Sequence, residues 1–182
     1  MVMQRTIVSA DEFDHLMTLP EHAERHFELI HGEMVEVVSN GYSSEIAALF
    51  VAVLFNWVQI HPLERVTGAD GGYMVNGERY IPDAAYISKV KQPTRSYAAY
   101  NPLAPDLAVE VLSPGNTPAQ IRTKVFNYIQ AGTVVWLVDP DQQQVEVYAP
   151  GQPAQILGMT DTLEGGNLLS GFTLAINTIF PL

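Results

Sequence analysis

Two carboxylates and one amine have the strongest claim on chemistry in this chain of 182 residues. Glu110 interrupts the otherwise apolar run Leu107-Ala108-Val109-Glu110-Val111-Leu112. An isolated charge is costly to bury, so such a group is paired, protonated or bound to a metal. From this strand alone, a core ion pair with an arginine and a metal ligand are equally good readings. Asp83 follows the same pattern, because Ile81, Asp83, Ala85 and Ile87 share one strand face by the two-residue period. Pro82 predicts a bulge that re-aims Asp83. The plainer alternative is a strand-end aspartate accepting backbone hydrogen bonds. Two carboxylates on neighbouring strands suit Mg²⁺ or Mn²⁺; Mg²⁺ prefers oxygen ligands and keeps several of its waters. Lys124 falls in a helix whose inner face is Ile121, Val125 and Tyr128. At about 100° per residue it lies on the flank of that face, within reach of the sheet. Taken alone, it reads as a lysine keeping its head in water at a helix border.

The elements that must hold these groups are legible along the chain. Ser9 and Glu12 form a capping-box pattern before a helix over residues 10–19, which Pro20 ends. Residues 27–30 and 33–38 read as two strands joined by a tight turn at His31-Gly32. Ser43 or Ser44 caps the next helix, whose apolar face is Ile46, Leu49, Phe50, Val53, Leu54 and Trp57, and Pro62 closes it. Residues 65–69 and 72–75 form a strand with a glycine break. Asn76-Gly77 signals a hairpin turn, and 79–87 is the next strand. After a polar loop over 88–105, residues 107–112 read as a central strand covered on both faces. Thr117 and Pro118 start a helix that Gly132 stops. Strands at 134–138 and 144–148 flank the turn Asp139-Pro140-Asp141, and short strands are expected in 150–182. The strand–helix–strand unit from 107 to 138 predicts a parallel pair with a right-handed crossover. No linker divides the chain, so residues 1–182 are expected to form a single α/β domain.

Composition narrows the function classes. With no cysteine, disulfides and thiolate metal sites are excluded, and a reducing, cytoplasmic setting is expected. Residues 1–5 lead into no apolar signal core. The longest apolar stretch, 46–58, has 13 residues and contains Asn56, so no membrane span is expected. A net charge of −11 argues against a broad nucleic-acid-binding surface, since phosphate contacts need Lys and Arg. Residues 79–124 nevertheless hold six basic against three acidic side chains, +3 locally against −14 elsewhere, which is compatible with a small nucleic-acid site. His22 and His26 have the spacing of a metal pair on a helix, yet no third ligand lies near and exposed histidines are the better reading.

Several longer segments carry a resemblance. Phe27-Glu28-Leu29-Ile30-His31-Gly32-Glu33, Ile81-Pro82-Asp83 and Pro105-Asp106-Leu107-Ala108-Val109-Glu110-Val111-Leu112-Ser113-Pro114 occur in this order. Lys124-Val125-Phe126-Asn127-Tyr128 and Ala131-Gly132-Thr133-Val134-Val135-Trp136-Leu137-Val138-Asp139-Pro140 follow. Together they resemble the Uma-two type of restriction endonucleases, from about Glu12 to the C-terminus. The resemblance implies the PD-(D/E)xK nuclease fold, a restriction-endonuclease-like mixed sheet with an αβββαβ core, flanking helices and additional β-hairpins. It further implies that Asp83 bridges a metal ion and that Glu110 is the acid of the D/E-x-K element. The lysine expected two residues later is absent, because position 112 is Leu; its role is implied for Lys124 on the following helix. A histidine often found near the start of the first core helix is also absent, with Ser43 and Ser44 in that region.

Glu28 and Glu45 are candidates for outer metal ligands, with solvated surface acids as the alternative. The leading expectation is therefore a Mg²⁺-dependent endonuclease hydrolysing DNA, and the superfamily adds the expectation of a homodimer. A non-catalytic binding or assembly module on the same scaffold is the rival, and a hydrolase for small phosphorylated molecules a third reading.

Overall fold

The computed structural model describes residues 7–61 and 64–180. Its first helix, α1 (Ala10–Leu16), carries the expected capping box between Ser9 and Glu12. The hairpin β1 (Phe27–Ile30) and β2 (Glu33–Glu36) turns through His31 and Gly32, both at positive φ as a two-residue type I′ turn requires. Helix α2 (Gly41–Gln59) starts earlier than the serines suggest. Asn40 is its N-cap, accepting from the Ser43 N–H, while the Ser43 hydroxyl donates to the Leu112 carbonyl. The capping assigned to Ser43 or Ser44 is thus corrected: Asn is as good a cap, and it comes first. Pro62 lies outside the described residues.

The two segments expected to form one strand with a glycine break are separate strands, β3 (Glu64–Gly68) and β4 (Gly72–Val75), in different sheets. Likewise the single strand expected over 79–87 is two, β5 (Glu78–Tyr80) and β6 (Ala84–Ser88). Within the expected loop, β7 (Tyr100–Asn101) pairs in parallel with β4. That pairing depends on Gly72, where an added Cβ would sit 2.5 Å from the Tyr100 ring. The chain continues through β8 (Leu107–Val111), α3 (Pro118–Gln130), β9 (Val134–Asp139) and β10 (Gln144–Tyr148). Three short strands complete it: β11 (Gln155–Leu157), β12 (Thr162–Glu164) and β13 (Thr173–Ala175).

A mixed six-stranded sheet, ordered β11-β10-β9-β8-β6-β3, is the frame of the molecule. Strands β8 and β9 are parallel, as the strand–helix–strand unit predicts, and the other pairs are antiparallel. One face packs on α2 through Ile46, Phe50, Leu54, Val109 and Trp136. Although α2 has 19 residues and an 18-residue stretch of mean hydropathy 1.4, Ile46, Ala47, Phe50, Leu54 and Val58 form a buried face, as in the core helix of a globular domain. On the opposite face, Ala85, Ala108 and Val135 pack with Tyr128 of α3 and with Tyr73, Val75 and Tyr80 of a second sheet, ordered β2-β1-β5-β4-β7. Glu110 belongs to this second interface, where α3 and the second sheet meet the central strand.

Candidate active site

Strand register brings the two acids together. In the antiparallel β6–β8 pair, Ala84 lies opposite Val109. The ladder ends there, Asp83 and Glu110 are the next residues along the two chains, and both line one cavity. Asp83 itself is not within a strand, which corrects the expectation of a face shared by Ile81, Asp83, Ala85 and Ile87. Residues 81–83 are instead the crossing between sheets. Pro82 has no N–H to give a ladder, so pairing stops there and the chain leaves β5 to enter β6. One Asp83 oxygen, Oδ2, accepts from the Val111 N–H at 2.7 Å.

Helix α3 delivers the amine. Thr117 and Gln120 cap it reciprocally and Pro118 occupies its first turn. From that start, Lys124, Asn127 and Tyr128 fall on one buried face at i, i+3 and i+4. The Lys124 Nζ donates to Glu110 Oε2 at 2.5 Å and to Glu28 Oε1 at 2.8 Å. Glu28, Glu110 and Lys124 are each only 6% exposed, so neither the surface-acid reading of Glu28 nor the solvated-head reading of Lys124 holds. Glu28 Oε1 also accepts from the Ile81 N–H at 2.7 Å. Glu110 Oε1 accepts from the Tyr128 hydroxyl at 2.8 Å. Beneath the amine, the Tyr80 ring centroid lies 5.5 Å from Nζ, and the Tyr80 hydroxyl accepts from Asn127 Nδ2 at 2.7 Å.

The electrostatics follow from burial. Three carboxylates and one ammonium give a formal charge of −2 in a water-poor interface. Burial pushes the Glu110 carboxyl up to about 8, against the attraction of Lys124 and with help from Glu28 and Asp83. Asp83 is also raised by burial, partly offset by the Val111 N–H. For Lys124 burial alone would favour the neutral amine, but Glu110 and Glu28 outweigh it and hold the pKa above its ordinary value. Tyr128 is driven well above its ordinary value by burial and then by Glu110, so it remains a hydrogen-bond donor.

Asp83, Glu110, Glu28 and Lys124 line one cavity of about 200 Å³, together with Ser113 and Gln120. Among the described residues, no group of three or more His, Cys, Asp or Glu side chains forms a metal shell. The arrangement nonetheless fits a hard dication held by two carboxylates. Each Glu110 oxygen has one hydrogen-bond partner and a remaining lone pair. Burial first, and then Glu28 and Asp83, lift the Glu110 pKa; a divalent cation would offset both, and Mg²⁺ commonly uses one or two protein carboxylates and fills the rest of its octahedron with water.

Other expected residues lie elsewhere. Glu45 is exposed on α2 and does not line this cavity, so the structure does not bring it to the site. His22 ends a short 3-10 turn and packs edge-on against Phe27, while His26 lies beyond the turn and is exposed, so their spacing yields no helical pair. Of the basic residues of 79–124, Lys124 alone lines this cavity. Arg79 is bound to Asp14 and Lys91 to Asp106, Arg95 lines a cavity beside β3, and Lys124 is buried. Exposed Arg122 borders a cavity of about 540 Å³ that shares Ser113, Asn116 and Ile121 with the acidic one. Tyr128, Tyr80 and Asn127 were not singled out as site residues from the sequence, though the spacing of Asn127 and Tyr128 from Lys124 carried a signal.

The fold and this cluster define a class: a restriction-endonuclease-like α/β domain with one acid on the central strand, a second just before the adjoining strand and a lysine from the neighbouring helix. The family model Uma2, described as "Putative restriction endonuclease", matches residues 10–177, and the chain belongs to that family. The chain is also similar to a crystal structure described as "a putative nuclease belonging to DUF820" from Anabaena variabilis ATCC 29413. The TM-score is 0.82 and the sequence identity 24%, over 95% of this chain and 97% of that one. At this identity the likeness shows the fold. A search of curated proteins gave no match.

Proposed function

We propose that the protein is a Mg²⁺-dependent endonuclease of the PD-(D/E)xK type that hydrolyses DNA phosphodiester bonds at Asp83, Glu110 and Lys124. The observation that carries the reading is the meeting of Lys124 with Glu110, beside Asp83, in one cavity. Asp83 and Glu110 would hold the cation. Bound there, Mg²⁺ or Mn²⁺ supplies an activated water and stabilises the charge that develops on the phosphate. Lys124, kept protonated by its two acids, orients the attacking water and offsets the negative charge on the phosphate. Tyr128 holds the Glu110 carboxylate in place by donating to Oε1. The reading includes a cytoplasmic homodimer, since nucleases of this superfamily often cut two strands with two subunits.

A second reading, a non-catalytic binding or assembly module, is favoured by one observation: the net charge is −11, and Arg79, Lys91 and Lys124 are paired with acids of the chain itself, leaving fewer cations to hold a duplex. Titration calorimetry with Mg²⁺ and Mn²⁺ separates the two. The nuclease reading expects binding that Asp83→Asn and Glu110→Gln each abolish; a silent titration of the unmodified protein favours the module.

A further inference from the structure

We infer that Glu28 is the positioning residue for Lys124, a second anchor that holds the amine in the site while Glu110 is engaged by a cation. The inference rests on the proposed metal role of Asp83 and Glu110, and it assigns Glu28 a task other than metal ligation. Its basis is one oxygen with two jobs. Glu28 Oε1 accepts from Lys124 Nζ at 2.8 Å and from the Ile81 N–H at 2.7 Å. The first bond fixes the amine. The second fixes the backbone two residues before Asp83, at the point where Pro82 interrupts strand pairing.

Strand geometry makes Glu28 a firm support. It is central in β1, held by β2 on one side and β5 on the other. Alternation sends Glu28 and Ile30 to the same face, and Ile30 packs in the cluster that contains Tyr128 of α3. Lys124 is a flexible side chain with only two acidic partners in the site. A cation on Glu110 competes with the ammonium for that carboxylate and repels it. With Glu110 as its only partner, the amine would either block the cation or be expelled towards solvent. Glu28 supplies a buried counter-charge that the cation need not touch, so both positive groups can occupy one cavity.

The test is a double-mutant cycle with Glu28→Gln and Lys124→Met, read by cleavage kinetics, Mn²⁺ affinity and unfolding free energy. Gln keeps the size of Glu28 and its ability to accept from Ile81, so the variant tests the charge rather than the packing. The expected result is that Glu28→Gln lowers kcat by about 10- to 100-fold with little change in KM, the range for loss of a supporting residue at a metal site. Added to Lys124→Met, it should cost no further activity, because its target is gone. In that background the Mn²⁺ affinity should change by less than about threefold, well under the tenfold that 1.4 kcal/mol represents. Independent, additive losses would overturn the inference, as would a fall in Mn²⁺ affinity beyond about tenfold in the Lys124→Met background. If the unmodified protein cleaves nothing, the nuclease reading fails by itself. The unfolding cycle then still decides whether Glu28 and Lys124 are coupled, and zero coupling overturns the anchor.

Discussion

Replacing Glu110 by Gln should stabilise the metal-free protein at alkaline pH while removing the proposed activity. The Glu110 carboxyl rises from its ordinary 4.5 to about 8 because burial penalises its charged form. A carboxyl whose folded pKa lies above its unfolded value binds its proton more tightly in the folded state, so folding weakens as the pH rises. The penalty is absent below about pH 4.5, grows through the interval up to about 8, and is complete above it. A rise from 4.5 to about 8, at about 1.4 kcal/mol per pH unit, corresponds to a penalty on the order of 5 kcal/mol.

The side chain introduced by Glu110→Gln would resemble the protonated acid. Its amide oxygen can accept from Lys124, its NH₂ can donate to the Tyr128 oxygen, and Lys124 keeps Glu28 as counter-charge. Urea unfolding followed by tryptophan fluorescence in EDTA, at intervals from pH 5 to 9, measures the difference, in which titrations common to both proteins cancel. The variant should lie within about 1 kcal/mol of the unmodified protein at pH 5 and exceed it by a few kcal/mol at pH 9, with the gap narrowing in excess Mg²⁺. Parallel stability curves, or a variant that weakens progressively with pH, would refute the reasoning about the buried charge.

The remaining expectations are narrower. Tyr128→Phe deletes the hydroxyl donating to Glu110 and should cost about 1.5–3 kcal/mol of stability by the same unfolding assay at pH 9, where Glu110 is ionised, the range for hydrogen bonds to charged groups. Asn40→Ala removes the cap of α2 and should cost about 1 kcal/mol, measured as a lower urea midpoint at unchanged slope. Glu45→Gln, exposed on α2, should leave Mn²⁺ binding unchanged and stability within about 0.5 kcal/mol; a loss of Mn²⁺ affinity would return Glu45 to the site. Light scattering on the purified protein should give twice the chain mass if the homodimer expectation is right, and a single chain mass would end it.

Much of the frame was legible because local rules decided it. Ser9 with Glu12, Thr117 with Pro118, and the turns at His31-Gly32 and Asn76-Gly77 all do what their residue types dictate. The central strand betrayed itself by being apolar on both faces, which made Glu110 conspicuous. The fate of Asp83 was harder to read. Residues 79–87 alternate well enough for one strand, and only tertiary pairing divides them between two sheets at Pro82. The burial of Glu28 was hidden for a related reason: an acid in a short hairpin reads as solvated until α3 covers that face. Local charge misled in the other direction, because of six basic residues close in sequence only Lys124 lines the acidic cavity. Sequence proximity says little about a shared surface once strands and loops alternate.

The central claim is that Asp83, Glu110 and Lys124 form one metal-dependent hydrolytic site. Its most direct test is the nicking of supercoiled plasmid in Mg²⁺ or Mn²⁺, with Asp83→Ala, Glu110→Ala and Lys124→Met measured beside the unmodified protein and EDTA as control. Cleavage by the unmodified protein, abolished by EDTA, Asp83→Ala and Glu110→Ala and strongly reduced by Lys124→Met, is the predicted result. Equal nicking by all four proteins, or none by any of them, would contradict the account.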